Sequence, residues 1–151
     1  MEGSYSETNN NVGYVPISYP HSDEMEMACL GAMLEDNLAV EIAVETLNPF
    51  DFYSERHKVI FLEIKSLYDS GINVDIVSVQ EKLNNKNALG EIGGSSYLVS
   101  LTESVSAVSS IKYYCDVIKK HSRTRKLYSS VLSVYDEKEP DKIIEKMNML
   151  V

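Results

Sequence analysis

The 151 residues hold no GxxxxGK[ST] motif, so the chain has no phosphate loop of that kind to cradle a nucleotide. No apolar run approaches the ~18 residues of a membrane span. The N-terminus lacks the basic start and apolar core of a secretion signal, and the expected location is cytoplasmic. Basic residues are few, 14 against 23 acidic ones, for a formal net charge of −9. Phosphate neutralisation needs Lys and Arg, so an acidic domain makes a poor primary grip on nucleic acid. Cysteine occurs twice, at Cys29 and Cys115, on helical patterns without metal spacing. The pair reads as buried thiols of a reducing compartment, with one disulfide as the alternative. His21, His57 and His121 have no carboxylate or cysteine at local ligand spacing. With no nucleophile elbow or metal motif either, no catalytic, cofactor or metal site is expected.

What is present is helical periodicity. Apolar residues are 44% and charged ones 25% of the chain, as in one soluble globular domain with a modest core. Residues 1–19 are polar, rich in Asn and Ser and aperiodic, and are expected to form a flexible tail. Tyr5 and Tyr14 are its candidate docking groups. Ser22 is placed to cap a first helix whose buried stripe is Met27, Leu30 and Leu34, with Gly31 on the same side allowing a close helix approach. A second helix covers about Leu38 to Thr46 and is broken at Asn48-Pro49. Phe50, Phe52 and Tyr53 then read as a hydrophobic plug over the helix junction, since no basic residue interleaves them. Ser54 is expected to cap a third helix, which buries Ile60, Phe61, Ile64, Leu67 and Tyr68 at i, i+1, i+4, i+7 and i+8 and stops at Gly71. His57 on its opening turn reads as a capping or packing residue.

Val74–Leu83 carries β-branched residues that suit a strand, but Asp75 can cap, and Ile76, Val79 and Leu83 share a helix face; the assignment is helix. Gly93-Gly94 gives a turn before a helix from Ser95 to Glu103 that buries Leu98 and Leu101. Ser106 starts a long helix to about Tyr135, with Ile111, Tyr114, Ile118 and Val131 on one face. After a turn at Asp136–Glu139, Pro140 opens a last helix with Ile143, Ile144, Met147 and Val151 in register. Lys112, Lys119, Lys120, Arg123, Arg125 and Lys126 crowd fifteen residues that hold one acid, Asp116. The strip reads either as a solvated helix face or as a docking strip for an acidic protein surface. Tyr113, Tyr128, Val134 and Tyr135 are more apolar groups than one stripe of a two-helix hairpin can bury, which favours docking.

The ordered set Pro20-His21-Ser22, Leu30-Gly31-Ala32-Met33-Leu34, Asp51-Phe52-Tyr53, His57, Ile60-Phe61, Gly71, Val74-Asp75, Gly93-Gly94, Tyr97-Leu98, Tyr113-Tyr114, Ile118 and Arg125-Lys126-Leu127 resembles the N-terminal domain of replicative DNA helicases of the DnaB family. The resemblance implies an all-α fold, a small globular head over residues 20–104 and a long helical hairpin over 105–151, cut before the linker and RecA-like motor domain. It implies the collar of a hexameric helicase, arranged as a trimer of dimers, that docks primase and in some bacteria a helicase loader. ATP and Mg²⁺ would belong to the absent motor, and DNA would be met only through the full-length ring. By the same analogy, self-association falls to Ile111, Tyr114, Ile118, Ile144 and Met147, and the primase interface to Tyr97, Arg125, Tyr128 and Val134. Two rival readings are a free-standing acidic helical adaptor and the helicase-binding domain of a primase.

Overall fold

The computed structural model describes residues 19–150. The expected flexible tail therefore lies outside the described residues, apart from Tyr19. Among those described are seven α-helices and no strand: α1 Asp23–Glu35, α2 Asn37–Thr46, α3 Glu55–Asp69, α4 Ile76–Asn85, α5 Gly94–Glu103, α6 Ile111–Tyr135 and α7 Pro140–Asn148. Single 3₁₀ turns precede α3 (Pro49–Asp51) and α6 (Val108–Ser110).

The head is organised around α1. Ser22 accepts from the Met25 amide and starts it, as its position predicts. From Ala28 to Leu34 every residue is buried, so this helix is covered on all sides rather than along one stripe; Met27, expected in the stripe, is only partly covered. α2, α3, α5 and α6 supply the cover. Gly31 is where α5 comes closest: a Cβ built there would stand 2.0 Å from the Leu101 carbonyl oxygen and 2.5 Å from Val105 Cγ2.

The third helix buries Ile60, Phe61, Ile64 and Leu67 but leaves Tyr68, expected on the same face, exposed; Phe52 is tilted against Phe61 at 4.9 Å between centroids. It closes at Gly71, whose φ of +71° is the left-handed conformation that glycine adopts without strain. The ambiguous segment is helix. Asp75 and Ser78 form a reciprocal capping box, and Val79 and Leu83 turn into the core. Asn37 holds the loop before it by donating to the Val74 carbonyl and accepting from the Val74 amide.

Three local expectations are corrected. Ser54 makes no side-chain cap; the Tyr53 and Ser54 amides donate instead to the buried carboxylate of Glu26 on α1. The aromatic plug is Phe52 alone, because Phe50 and Tyr53 are exposed. The long helix begins at Ile111 rather than Ser106, since residues 108–110 tighten into a 3₁₀ turn.

Cys29 and Cys115 are buried free thiols, Sγ to Sγ 3.9 Å, joining α1 to α6. Their mutual hydrogen bond, followed by burial, pushes the Cys29 thiol well above its usual value, so it is inert.

Candidate protein-interaction surface

The sixth helix has two lives. Its first half is part of the head core: Ile111, Tyr114, Cys115 and Ile118 are buried, and Tyr114 donates to the Ala107 carbonyl. Beyond the Arg125 bonds its second half leaves the head core and packs against α7, none of whose residues is buried. The contact between these two helices is thin. Lys146 donates to the Ser133 carbonyl and pairs with Glu137, and Met149 and Leu150 line a cleft with Ser129, Ser130 and Ser133. Small hydroxyl side chains leave little apolar area to bury there.

The join between head and arm is polar and tightly specified. Asp51 is fully buried; Oδ1 accepts from Ser122 at 2.7 Å, and Oδ2 from Lys119 at 2.9 Å and the Asn48 amide at 2.9 Å. Burial, the largest single influence, raises the Asp51 carboxyl. The hydrogen bonds from Ser122, Asn48 and Lys119 together outweigh it and hold the group below the ordinary carboxylate value. One turn further on, Arg125 donates to the Pro20 carbonyl at 2.9 Å and the Asp51 carbonyl at 2.6 Å.

These bonds dissolve the expected basic strip. Lys119 and Arg125 are committed to the join, while Lys112, Lys120, Arg123 and Lys126 stay exposed. Arg125 is thus a clamp rather than a free docking group. Tyr97 is likewise committed. Its hydroxyl meets His57 Nε2 at 2.7 Å, His57 Nδ1 meets Glu26 Oε1 at 2.8 Å, and the Arg56 guanidinium lies 3.8 Å from the Tyr97 ring centroid. The order tyrosine, imidazole, carboxylate looks like a nucleophile relay. Burial, however, pushes the Tyr97 hydroxyl up despite Arg56, so it stays protonated and acts as a hydrogen-bonding strut. His57 is therefore a packing residue, paired across 31 positions of sequence where no local spacing could show it.

Ile111, Tyr114 and Ile118 are corrected in the same way. They are spent on the chain's own core, because α6 must cover α1 before it can offer anything to a partner. Ile144, Met147 and Tyr128 are exposed, and Val134 is half-buried. Tyr128 lines an apolar groove of 330 Å³ with Leu127, Val131 and Leu132.

Sequence reasoning named Tyr113, Val131 and Val134 but missed that Val117, Lys120 and Thr124 join them in one seam, and Val131, expected on the face of Ile111, Tyr114 and Ile118, lies exposed on this other side. Tyr113, Val117, Lys120, Thr124, Leu127, Val131 and Val134 alternate in steps of four and three along the outer side of α6. That is heptad spacing, the pattern of a helix that packs on another helix. Leu127 and Val131 are 53% and 51% exposed, so none of the described residues fills this role. The signal was present in the sequence, hidden by Lys120 and Thr124 at its centre.

The family model for the DnaB-like helicase N terminal domain matches residues 18–120. The replicative DNA helicase DnaB of Treponema pallidum is 37% identical over 126 residues, 81% of this chain and 28% of that helicase. The chain spans about a quarter of the length of the curated relatives it matches. The crystal structure of the N-terminal domain of DnaB helicase from Mycobacterium tuberculosis is similar with a TM-score of 0.84 at 26% identity, over 88% of this chain and 97% of that one. A DnaB-like replicative helicase, described together with its interactions with primase, shares the fold with a TM-score of 0.71 at 24% identity, over 86% of this chain and 32% of that one.

Proposed function

The chain belongs to the family of DnaB-like helicase N-terminal domains, and we propose that it acts as the collar of a hexameric replicative DNA helicase, joining subunits and docking primase without catalysis of its own. The observation that carries this reading is the exposed seam of α6, together with the exposed Ile144 and Met147 on α7. An apolar seam of heptad spacing is completed by a second helix, and the same arm of another copy supplies one. Such a contact is two-fold and self-complementary, so three of these pairs make a trimer of dimers. The Tyr128 groove then takes an apolar anchor from primase. Support comes from the related helicase whose structure was described with its primase interactions. A helicase loader is a further partner of the same assembly. ATP and Mg²⁺ belong to a motor elsewhere in the whole protein, which meets DNA as a ring in the cytoplasm.

Two measurements test the assignment. In sedimentation velocity, the wild-type chain should self-associate with rising concentration, and Leu127→Glu or Val131→Glu should leave it monomeric with an unchanged helical circular dichroism spectrum. Tyr128→Ala should weaken capture of the primase from the same genome. Self-association unaffected by either glutamate would refute the seam, and primase capture unaffected by Tyr128→Ala would refute the groove.

A further inference from the structure

A second surface lies on the opposite side of α6. At 100° per residue, Ser122, Lys126 and Ser129 fall on one side of the helix and Leu127, Val131 and Val134 on the other. The first side walls a cleft of 460 Å³, whose other wall is Tyr19, Phe50 and Tyr53. The sequence shows no cation among these aromatics; the fold brings Arg125 and Lys126 to them from more than seventy positions away.

Three features of the cleft bear on a ligand. First, among the described residues no carboxylate lines it, in a chain of net charge −9. Asp51 beneath it is answered by Lys119. Arg125 spends its hydrogen bonds on neutral carbonyls, so its charge is not cancelled, and Lys126 has no ion pair among the described residues. Second, Phe50 is 79% exposed, beside a half-open Tyr53. Third, the walls are fixed in advance. Pro49 and the Asn48–Asp51 capping box set Phe50, His21 stacks on Tyr53 at 3.9 Å, and Arg125 ties the Pro20 and Asp51 carbonyls to α6. A prepared site spends little binding energy on ordering.

The geometry points to a docking site for an acidic peptide segment carrying one aromatic or large aliphatic anchor. The anchor fits among the rings, and its flanking carboxylates meet the exposed Lys126, where a charge-assisted contact favours them, while the clamped Arg125 adds its uncancelled charge from the cleft wall. Single-stranded nucleic acid suits the rings equally well but brings a phosphate with every base. Two uncancelled cations in a strongly acidic domain do not answer a run of phosphates. The site uses the other face of α6 from the seam and does not rest on the self-association reading.

Fluorescence anisotropy on the whole 151-residue chain tests it. The probe is a fluorescein-labelled peptide of aspartates with one central phenylalanine, in low salt. Saturable binding is expected, weakened about tenfold or more by Phe50→Ala and by Lys126→Glu, lost when alanine replaces the peptide's phenylalanine, and unchanged by Val131→Glu. Both cleft substitutions sit on exposed side chains, so thermal melts should stay at the wild-type midpoint. No saturation by about 1 mM peptide, equal binding of the alanine peptide, or tighter binding of a short oligothymidylate that the same substitutions abolish would each overturn the proposal.

Discussion

Replacing Gly31 with alanine isolates the closest contact in the head. On an exposed helix the change should stabilise, because alanine exceeds glycine in helix propensity by about 1 kcal/mol. Here the new methyl would stand 2.0 Å from the Leu101 carbonyl oxygen and 2.7 Å from its carbon, both backbone atoms that no rotamer change can move aside. Relief requires α1 and α5 to separate by about 1 Å or more, which loosens the packing of Leu30, Leu98 and Leu101 at once. Over-packing of this kind costs about 3 kcal/mol at the upper end of its usual range. Less the propensity gain, the net loss is about 2 kcal/mol, a fall of roughly 5–10 °C in the melting midpoint for a domain of this size. Urea melts followed by circular dichroism measure it. Gly90→Ala is the control, since nothing lies within 4 Å of a Cβ there and its backbone is not left-handed; it should be neutral or slightly stabilising. A Gly31→Ala protein as stable as the Gly90→Ala protein would refute the close-approach argument.

Phe61→Ala should destabilise the head by roughly 3–5 kcal/mol, because it empties a fully buried site beside Phe52; a loss below about 1 kcal/mol in urea would be incompatible with that burial. Asp51 should make the domain acid-labile. Its folded carboxyl lies below the unfolded value of ~3.9, so its contribution is complete above that pH and is lost as pH falls through and below it. Melting midpoints taken between pH 6 and pH 2 should show Asp51→Asn with a shallower acid slope than wild type, and parallel curves would contradict the assignment. Arg125→Ala should cost about 2–3 kcal/mol by orphaning two carbonyls that accept from a charged donor, and proteolysis should then cut the arm faster than the head; an unchanged cleavage pattern would show that the clamp is dispensable.

Local pattern carried the helices well and their partners poorly. Ile60, Phe61, Ile64 and Leu67 announced both a helix and its buried face, and Asp75 outweighed the β-branched residues after it because its capping box with Ser78 lies within one turn. Gly31 was legible as a close approach for the same reason: a missing side chain amid a buried stripe has few other uses. The polar interior was not legible. Glu26 meets His57 across 31 residues, His57 meets Tyr97 across 40, and Asp51 meets Lys119 and Ser122 across 68 and 71. No periodicity encodes such pairs, since each half reads alone as an ordinary surface polar residue. The partner surface was misplaced through the same gap. Ile111, Tyr114 and Ile118 form a good stripe, but a stripe does not say whether it faces its own chain or another. Arg125 and Tyr97 looked free only because their acceptors lie far off in sequence.

The continuity of α6 has a mechanical consequence. One unbroken helix runs from the buried Ile111, past the Asp51 and Arg125 bonds, to Tyr135 at the tip. From Arg125 to the tip is ten residues, about 15 Å of stiff rod. A rod held at one end is a lever, and a tilt of about 10° at its fulcrum carries the tip roughly 2–3 Å. Force applied at the tip arrives magnified at the fulcrum, where Asp51, Lys119, Ser122 and Arg125 bear it through short, directional bonds rather than yielding contacts. Whatever grips the end of this arm therefore has a handle on the head's aromatic turn at Pro49–Asp51.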